Sequence, residues 1–304
     1  MDRFDALSIF IAVCESQGFA PAARKLGISA SVATRAVAGL EEKLNVRLLQ
    51  RTTRSLRLTE AGQTYLERAR RIMADLDEAD QTAQSHNAEP AGLLSISAPV
   101  LFGRMHVVPA LRGYMEKYPK VTVDLRLSDG LVNLVEEGFD LAVRIGHLPD
   151  SQLMAVKVGQ TKKVVVAAPS YLDRVGRPDH PSDLEKMDII SFSQTGSNPD
   201  WRFENGGREI RPRLSMKLNT NNADAAIAFA KAGGGATRIL CYQSYEAMVT
   251  GELEQILTPY APSDIPVQLV YPSARMMSVK VRSFIDFVQQ TSIWNFVLPT
   301  IQCL

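Results

Sequence analysis

Apolar side chains at Phe4, Leu7, Phe10, Ile11 and Cys14 recur every three or four residues, which predicts a helix over residues 3–16. Gly18 ends it. Pro21 suits the first turn of a second helix, where a missing N–H costs nothing. Ala22, Ala23 and Leu26 follow before Gly27, a natural left-handed stop. Ser29 or Ser31 caps a third helix that runs to about Leu44, with Val32, Ala33, Ala36, Val37, Leu40 and Leu44 facing inward and Asn45 as its stop. Leu48, Leu49, Leu56 and Leu58 flank the polar run RTTRS, the pattern of a short two-stranded wing.

Thr59 is placed to cap a long fourth helix. Along it Gly62, Tyr65, Ala69, Ile72, Leu76, Ala79 and Ala83 alternate spacings of three and four, a heptad seam of mostly small residues. The seam favours pairing of two copies through residues 59–86 over packing on the helix's own domain. That segment spans about 42 Å at 1.5 Å per residue. Residues 86–92, HNAEPAG, read as a linker.

The pattern then changes. Leu94, Ile96 and Ala98 alternate as a strand, and Pro99 turns the chain into a helix through Tyr118. Further strands are expected over 121–127, 141–145, 163–168, 188–192 and 266–271. Helices are expected over 132–137, 223–232 and 279–290. Strands alternating with helices indicate an α/β domain with largely parallel sheets.

Charge sharpens the division. The chain of 304 residues has a formal net charge of +1, which by itself points to no partner. Residues 20–71, however, hold eleven Lys/Arg against four acids, a local net of +7, and residues 72–90 hold five acids and no Lys or Arg. A basic block of this kind is the footprint of phosphate binding. Helices two and three around the Gly27-Ile28-Ser29 turn, followed by the wing, form a device for reading duplex DNA, with the third helix in the major groove. Ser31, Thr34 and Arg35 are its candidate contacts to phosphates or bases. Arg51, Arg54 and Arg57 belong to the wing, where Arg54 at the tip fits a narrow minor groove.

Enzyme chemistry finds no support. His86, His106, His147 and His180 show no metal spacing, and no catalytic constellation or cofactor fingerprint is present. Gly233-Gly234-Gly235-Ala236 follows a helix and not a strand. Cys14, Cys241 and Cys303 form no disulfide or zinc framework, consistent with a reducing cytoplasm, and Cys241 reads as a buried structural thiol before a redox sensor. No segment has the length and apolarity to span a membrane. The apolar tail 293–304 is expected to pack on the fold or on a neighbour.

These residues resemble the LysR-type transcriptional regulators. The family pattern appears as Ala22-Ala23-Arg24-Lys25-Leu26, Ile28-Ser29, Thr34-Arg35, Leu40-Glu41-Glu42-Lys43-Leu44, Leu48-Leu49-Gln50-Arg51, Arg54 and Leu58-Thr59-Glu60-Ala61-Gly62. The resemblance continues through SAPVLFGR at 97–104, SDGLVNLVEEGFDLAVRIGHLPDS at 128–151 and VYPSARMMSVKVRSFIDF at 270–287, nearly the whole chain. It implies DNA contacts at Ser29, Ala30, Ser31, Thr34, Arg35, Arg51, Thr53 and Arg54. Ala30 stands where many members carry Gln, so one common base contact is absent and no relative's operator transfers. Asn45 replaces the usual Gly and Leu49 the common Phe. Gly233-Gly234-Gly235 is richer in glycine than the usual turn, which is expected to loosen that corner.

The resemblance further implies a C-terminal part like a periplasmic binding protein, two α/β lobes with a small-molecule effector between them and no other cofactor. The crossovers are expected near 158–163 and 263–268. Sites in such folds lie where strands end and helix N-termini point inward. That selects Ala98, Pro99, Val100, Ser128, Asp129, Ile145 and Gly146 from one lobe and Thr220, Asn221 and Asn222 from the other. The same residues serve equally as turn and cap residues. Arg104, Arg144 and Arg238 are candidates for meeting an acid, or for structural pairing.

The sequence thus reads as α/β overall: a winged helix-turn-helix over 1–58, a linker and dimerisation helix with its hinge over 59–92, and an effector domain over 93–304. Lobe I takes about 93–160 and 267–304, and lobe II about 161–266. The expected protein is a cytoplasmic bacterial regulator, not an enzyme. It pairs with itself as a dimer or dimer of dimers, binds double-stranded promoter DNA, and has RNA polymerase as a further partner. A solute-binding protein without a DNA role accounts for 93–290 but leaves the basic block unexplained.

Overall fold

A computed structural model describes residues 1–51, 56–84, 89–130, 132–148, 153–193, 200–273, 278–292 and 294–296. The chain forms two units, Met1–Leu93 and Leu94–Leu304.

In the first unit, α1 (Arg3–Glu15), α2 (Phe19–Leu26) and α3 (Ala30–Leu44) pack together, followed by β1 (Leu49–Arg51), β2 (Leu56–Leu58) and α4 (Glu60–Gln84). Phe10, Val13, Ala22, Ala33 and Val37 are fully or almost fully buried, and the alanines let α2 and α3 lie close. Gly27 closes α2 at φ 66° and Asn45 closes α3 at φ 51°, both left-handed stops. β1 and β2 pair antiparallel, Leu49 opposite Leu58.

α4 docks on the base of this wing. The Thr59 hydroxyl accepts from the Gly62 N–H at 2.9 Å and donates to the Arg47 carbonyl at 2.7 Å, so one side chain caps the helix and ties it to the wing. The first positions of the heptad seam pack on their own unit. Gly62, Leu66 and Ala69 are buried within their own unit, and Tyr65 packs on Phe10 with ring centroids 5.7 Å apart. Leu66 widens the seam into a core-facing stripe, so the first turns of α4 belong to the domain and exposure resumes only at Ile72.

The second unit begins with β3 (Gly92–Ala98), α5 (Val100–Phe102), a π-helical turn Gly103–Val107, α6 (Val108–Lys117), β4 (Val121–Leu127), α7 (Leu134–Glu137), β5 (Leu141–Ile145) and β6 (Leu153–Thr161). The chain then crosses at Lys162 into β7 (Lys163–Ala167), α8 (Pro169–Val175), β8 (Asp188–Phe192), β9 (Phe203–Asn205), β10 (Arg208–Ile210), β11 (Ser215–Thr220), α9 (Ala223–Lys231), β12 (Ala236–Leu240), α10 (Cys241–Val249) and β13 (Glu254–Ile256). It returns through β14 (Ile265–Pro272), α11 (Val279–Thr291) and β15 (Trp294–Asn295). The strands build a six-stranded sheet, β15-β6-β14-β5-β3-β4, and a five-stranded sheet, β11-β8-β12-β7-β13. Each sheet is the centre of one lobe.

The sheets are mixed and not largely parallel. β3 runs parallel to β5, and β8 parallel to β11 and β12. β14, however, is antiparallel to both β5 and β6, and β7 is antiparallel to both β12 and β13. The strands flanking each passage between lobes carry the chain back against the local direction, a long-range effect that β-α-β spacing does not report. The glycine run is also corrected. A Cβ on Gly235 would lie 2.3 Å from the Asp188 carbonyl oxygen, and one on Gly234 would lie 2.4 Å from the Phe229 ring. These glycines permit close packing of the β12 entry and do not loosen it.

The end of the chain that is described packs inward. Trp294 pairs with Gly159, where an added Cβ would meet the Trp294 carbonyl oxygen at 1.9 Å. Phe296 joins Phe102, His106 and Tyr242 in a ring cluster that bridges the lobes, with His106 4.6 Å from Phe296 and 5.4 Å from Tyr242. Burial pushes the His106 imidazole down to about 4. Its folded value lies below the unfolded one near 6.5, so the unfolded chain binds the extra proton in between. This contribution to stability is complete above pH 6.5 and is lost as pH falls toward 4. His106→Phe is therefore expected to flatten the pH dependence of unfolding in that window, read by urea titration at successive pH values.

Candidate nucleic-acid interface and ligand cleft

The first site is the N-terminal half of α3. Ser29 is its N-cap, accepting from the Val32 N–H at 3.3 Å and sharing a 2.9 Å hydrogen bond with the Ser31 hydroxyl. Thr34 donates to the Ala30 carbonyl at 2.9 Å, which fixes its rotamer on the helix surface. Ser29, Ala30, Ser31 and Arg35 are exposed, and Thr34 is half-buried. The face thus offers hydroxyls and one guanidinium at the end of a helix whose opposite side is core. Arg51 ends β1. Thr53 and Arg54 lie outside the described residues.

In the sequence Glu41 stood as an acid within the basic block and as part of the family pattern at 40–44, with no structural role assigned. It is 5% exposed, and its Oε1 accepts from the Leu48 N–H at 2.8 Å and the Leu49 N–H at 3.0 Å. Its other oxygen lies 3.4 Å from Arg47. One carboxylate therefore fixes the wing to α3. The available signal was an acid on the apolar side of α3, one residue after Leu40.

The second site lies between the lobes of the second unit. A cavity of about 410 Å³ is lined by Ile145, Gly146 and Ile265 of one lobe. The other lobe contributes Lys163, Ser191, Phe192, Ser193, Asp200, Trp201, Arg238, Ile239, Leu240 and Gln243. Gly146 holds its wall in place: its N–H donates to the Pro266 carbonyl at 3.0 Å, and its carbonyl accepts from Gln268 Nε2 at 2.9 Å. β7 and β12 pair with Lys163 opposite Leu240 and Arg238 opposite Val165. Lys163 and Arg238 are thus diagonal neighbours on one face of the sheet. Arg238 donates to the carbonyls of Arg202 at 3.1 Å and Asp200 at 3.2 Å, and lies over the Trp201 ring at 5.3 Å. Burial lowers it to about 10, which still leaves it charged at neutral pH. Burial, and then the charge of Arg238, lower Lys163.

Of the ten residues selected from the sequence, Ile145 and Gly146 line this cavity. The others serve turns and caps around it. The Val100 N–H donates to the Asp129 carboxylate at 3.0 Å, so the expected anion position at that helix start holds the chain's own carboxylate. Pro99 precedes α5 as its cap, and the Ala98 carbonyl accepts from the Ser128 N–H at 2.9 Å. Ser128 accepts from the Gly130 N–H. Thr220 accepts from the Asn222 N–H, Asn222 caps α9, and Asn221 is an exposed residue between them. Arg144 donates to the Val132 carbonyl at 3.0 Å, a structural role, and Arg104 pairs with Asp224 at 3.5 Å. A second hollow of about 580 Å³ near that pair carries Lys231 and Glu252, which bridge each other at 2.8 Å. Cys241 is 1% exposed and donates its S–H to the Phe296 carbonyl at 2.8 Å.

Among the described residues, no three His, Cys, Asp or Glu side chains gather to hold a metal, and no helix is long and apolar enough to cross a membrane.

Comparisons with known proteins agree with this geometry. Residues 4–63 match the bacterial regulatory helix-turn-helix protein of the lysR family, and residues 87–292 match the LysR substrate binding domain. The chain is 36% identical over 281 residues to an uncharacterized HTH-type transcriptional regulator of Haemophilus influenzae, covering 92% of this chain and 98% of that one. It is 31% identical over 304 residues to an HTH-type transcriptional repressor of Pseudomonas aeruginosa, covering 99% and 95%. Among solved structures, CrgA, a LysR-type transcriptional regulator from Neisseria meningitidis, superposes with a TM-score of 0.61 at 29% identity, covering 94% of this chain and 97% of that one.

Proposed function

Because this chain belongs to the LysR family of bacterial helix-turn-helix transcriptional regulators, we propose that the exposed N-terminal half of α3 enters the major groove of promoter DNA with Arg35 as its principal base or phosphate contact. The observation that carries this reading is the exposure of Arg35 on a helix whose other face is core and whose wing is fixed by Glu41. Ser29, Ser31 and Thr34 position the helix on the backbone, and Ala30 contributes no hydrogen bond. Arg51, Thr53 and Arg54 of the wing segment supply the adjoining groove contact.

Two copies pair through α4 beyond the turns that pack on their own domain, where Ile72 is 46% exposed. This supports half-sites separated by one helical turn, 34–36 Å, or a multiple. A small molecule binds the cleft that contains Ile145, Gly146, Lys163 and Arg238, and its differential affinity for two lobe arrangements shifts DNA binding. Acting on DNA, the protein works in the cytoplasm.

A mobility shift on the region upstream of the neighbouring gene tests the reading. The expected result is salt-sensitive binding that Arg35→Ala weakens by roughly 10–100-fold, the loss of one good base contact of about 1–3 kcal/mol. Equal binding by wild type and variant would remove α3 from the interface.

A further inference from the structure

We propose that the cleft ligand is a small organic acid whose carboxylate bridges Lys163 and Arg238 and whose compact apolar body fills the rest of the cavity. This rests on reading the interlobe cavity as the effector site, and it adds the ligand's chemistry.

The charges carry it. Two cations stand side by side on one sheet face because β7 and β12 pair in a register that makes them diagonal neighbours. The carboxylate among the lining residues, Asp200, is already bonded by Arg202 at 2.8 Å, and Arg211 adds a further positive field on it. Among the described lining residues Lys163 and Arg238 therefore outnumber Asp200, and a site with that excess favours an anion.

The geometry suits a carboxylate. The Arg238 guanidinium is fixed by two backbone carbonyls and the Trp201 ring, which engage two of its five N–H donors. A held guanidinium beside a flexible ammonium matches a planar two-oxygen anion. The lining also includes the apolar side chains of Ile145, Ile265, Phe192 and Leu240, beside the polar Ser191, Ser193 and Gln243. A volume of about 410 Å³ is at the small end of ligand pockets, which run roughly 300–1,000 Å³. The second hollow offers no comparable excess, since Arg104 and Lys231 are each paired there with an acid.

Full-length protein is titrated with benzoate, cyclohexanecarboxylate and hexanoate, each against its neutral amide. Binding is read by calorimetry and by the fluorescence of the two tryptophans, of which Trp201 lines the cavity. The same samples are assayed for binding of a labelled upstream duplex. The expected result is that at least one acid binds, at least about tenfold more tightly than its amide, which is about 1.4 kcal/mol. Lys163→Met, at the start of β7, should lose at least about tenfold, and Lys163→Arg should retain binding. An amide as tight as its acid, an acid that binds Lys163→Met as it binds wild type, or no acid binding by protein that still binds the duplex, overturns the inference. Lys163-dependent acid binding without duplex binding keeps the acid site and overturns the regulator reading. Loss of both overturns both.

Discussion

Glu41→Ala is expected to lower the stability of the N-terminal unit by about 2–5 kcal/mol and to abolish DNA binding with it. The carboxylate is buried and accepts from two consecutive backbone N–H groups, those of Leu48 and Leu49, whose side chains are also buried. Without it two donors lose their acceptor where water does not replace it, at about 1–3 kcal/mol each. Glu41→Gln keeps an acceptor oxygen in place and should lose much less. Thermal unfolding followed by circular dichroism distinguishes the two, with a fall of roughly 10 °C or more for the alanine variant in a unit of this size. Equal melting of Glu41→Ala and wild type would show that the wing is held by other contacts.

Gly62→Val should be comparably severe, at about 3 kcal/mol, for a steric reason. A Cβ at residue 62 would lie 2.0 Å from the Leu48 carbonyl oxygen, which also accepts from the Thr59 N–H at 3.0 Å. Relieving the clash means pushing α4 off the wing or breaking its cap. Gly39 provides the contrast. It lies in α3 with nothing within 4 Å of an added Cβ, so Gly39→Ala should stabilise by roughly 0.5–1 kcal/mol through helix propensity. Urea unfolding of both variants measures the difference, and a Gly62→Val protein as stable as wild type would contradict the close approach.

Both positions show what the sequence made legible. The turns of the DNA-reading unit are set by local signals: Ser29 and Thr59 as caps, Gly27 and Asn45 as left-handed stops, and RTTRS between apolar pairs. Each depends on neighbours within about one helical turn, so spacing reports it. The β-α alternation of the second unit was legible for the same reason. The hairpin of β9 and β10 had its own signal in Asn205-Gly206-Gly207, with both glycines at positive φ, which the reading passed over.

What sequence spacing misses is decided by distant partners. The seam on α4 matched a coiled coil, yet its first turns are claimed by α1 and the wing, and only Leu66, off the heptad, gives that away. Strand direction in both sheets depends on where the chain passes between lobes. The cavity between the lobes shows this most clearly. Strand ends drew attention to Val100 and Asp129, which bond each other, and to Asn222, which caps α9, whereas Lys163 and Arg238 share one sheet face because sheet order places β12 beside β7. Arg238 was singled out in the sequence as a candidate for meeting an acid, and Lys163 was not.

The central claim is that two copies of this chain present their α3 helices to successive major grooves of one duplex. Hydroxyl-radical footprinting of wild-type protein on the upstream DNA tests it most directly. The account predicts protected stretches of related sequence on one face of the helix, centred about 10 base pairs apart or a multiple of that, and their loss in Arg35→Ala. A single protected stretch with no symmetry mate, or protection that survives Arg35→Ala, would contradict it.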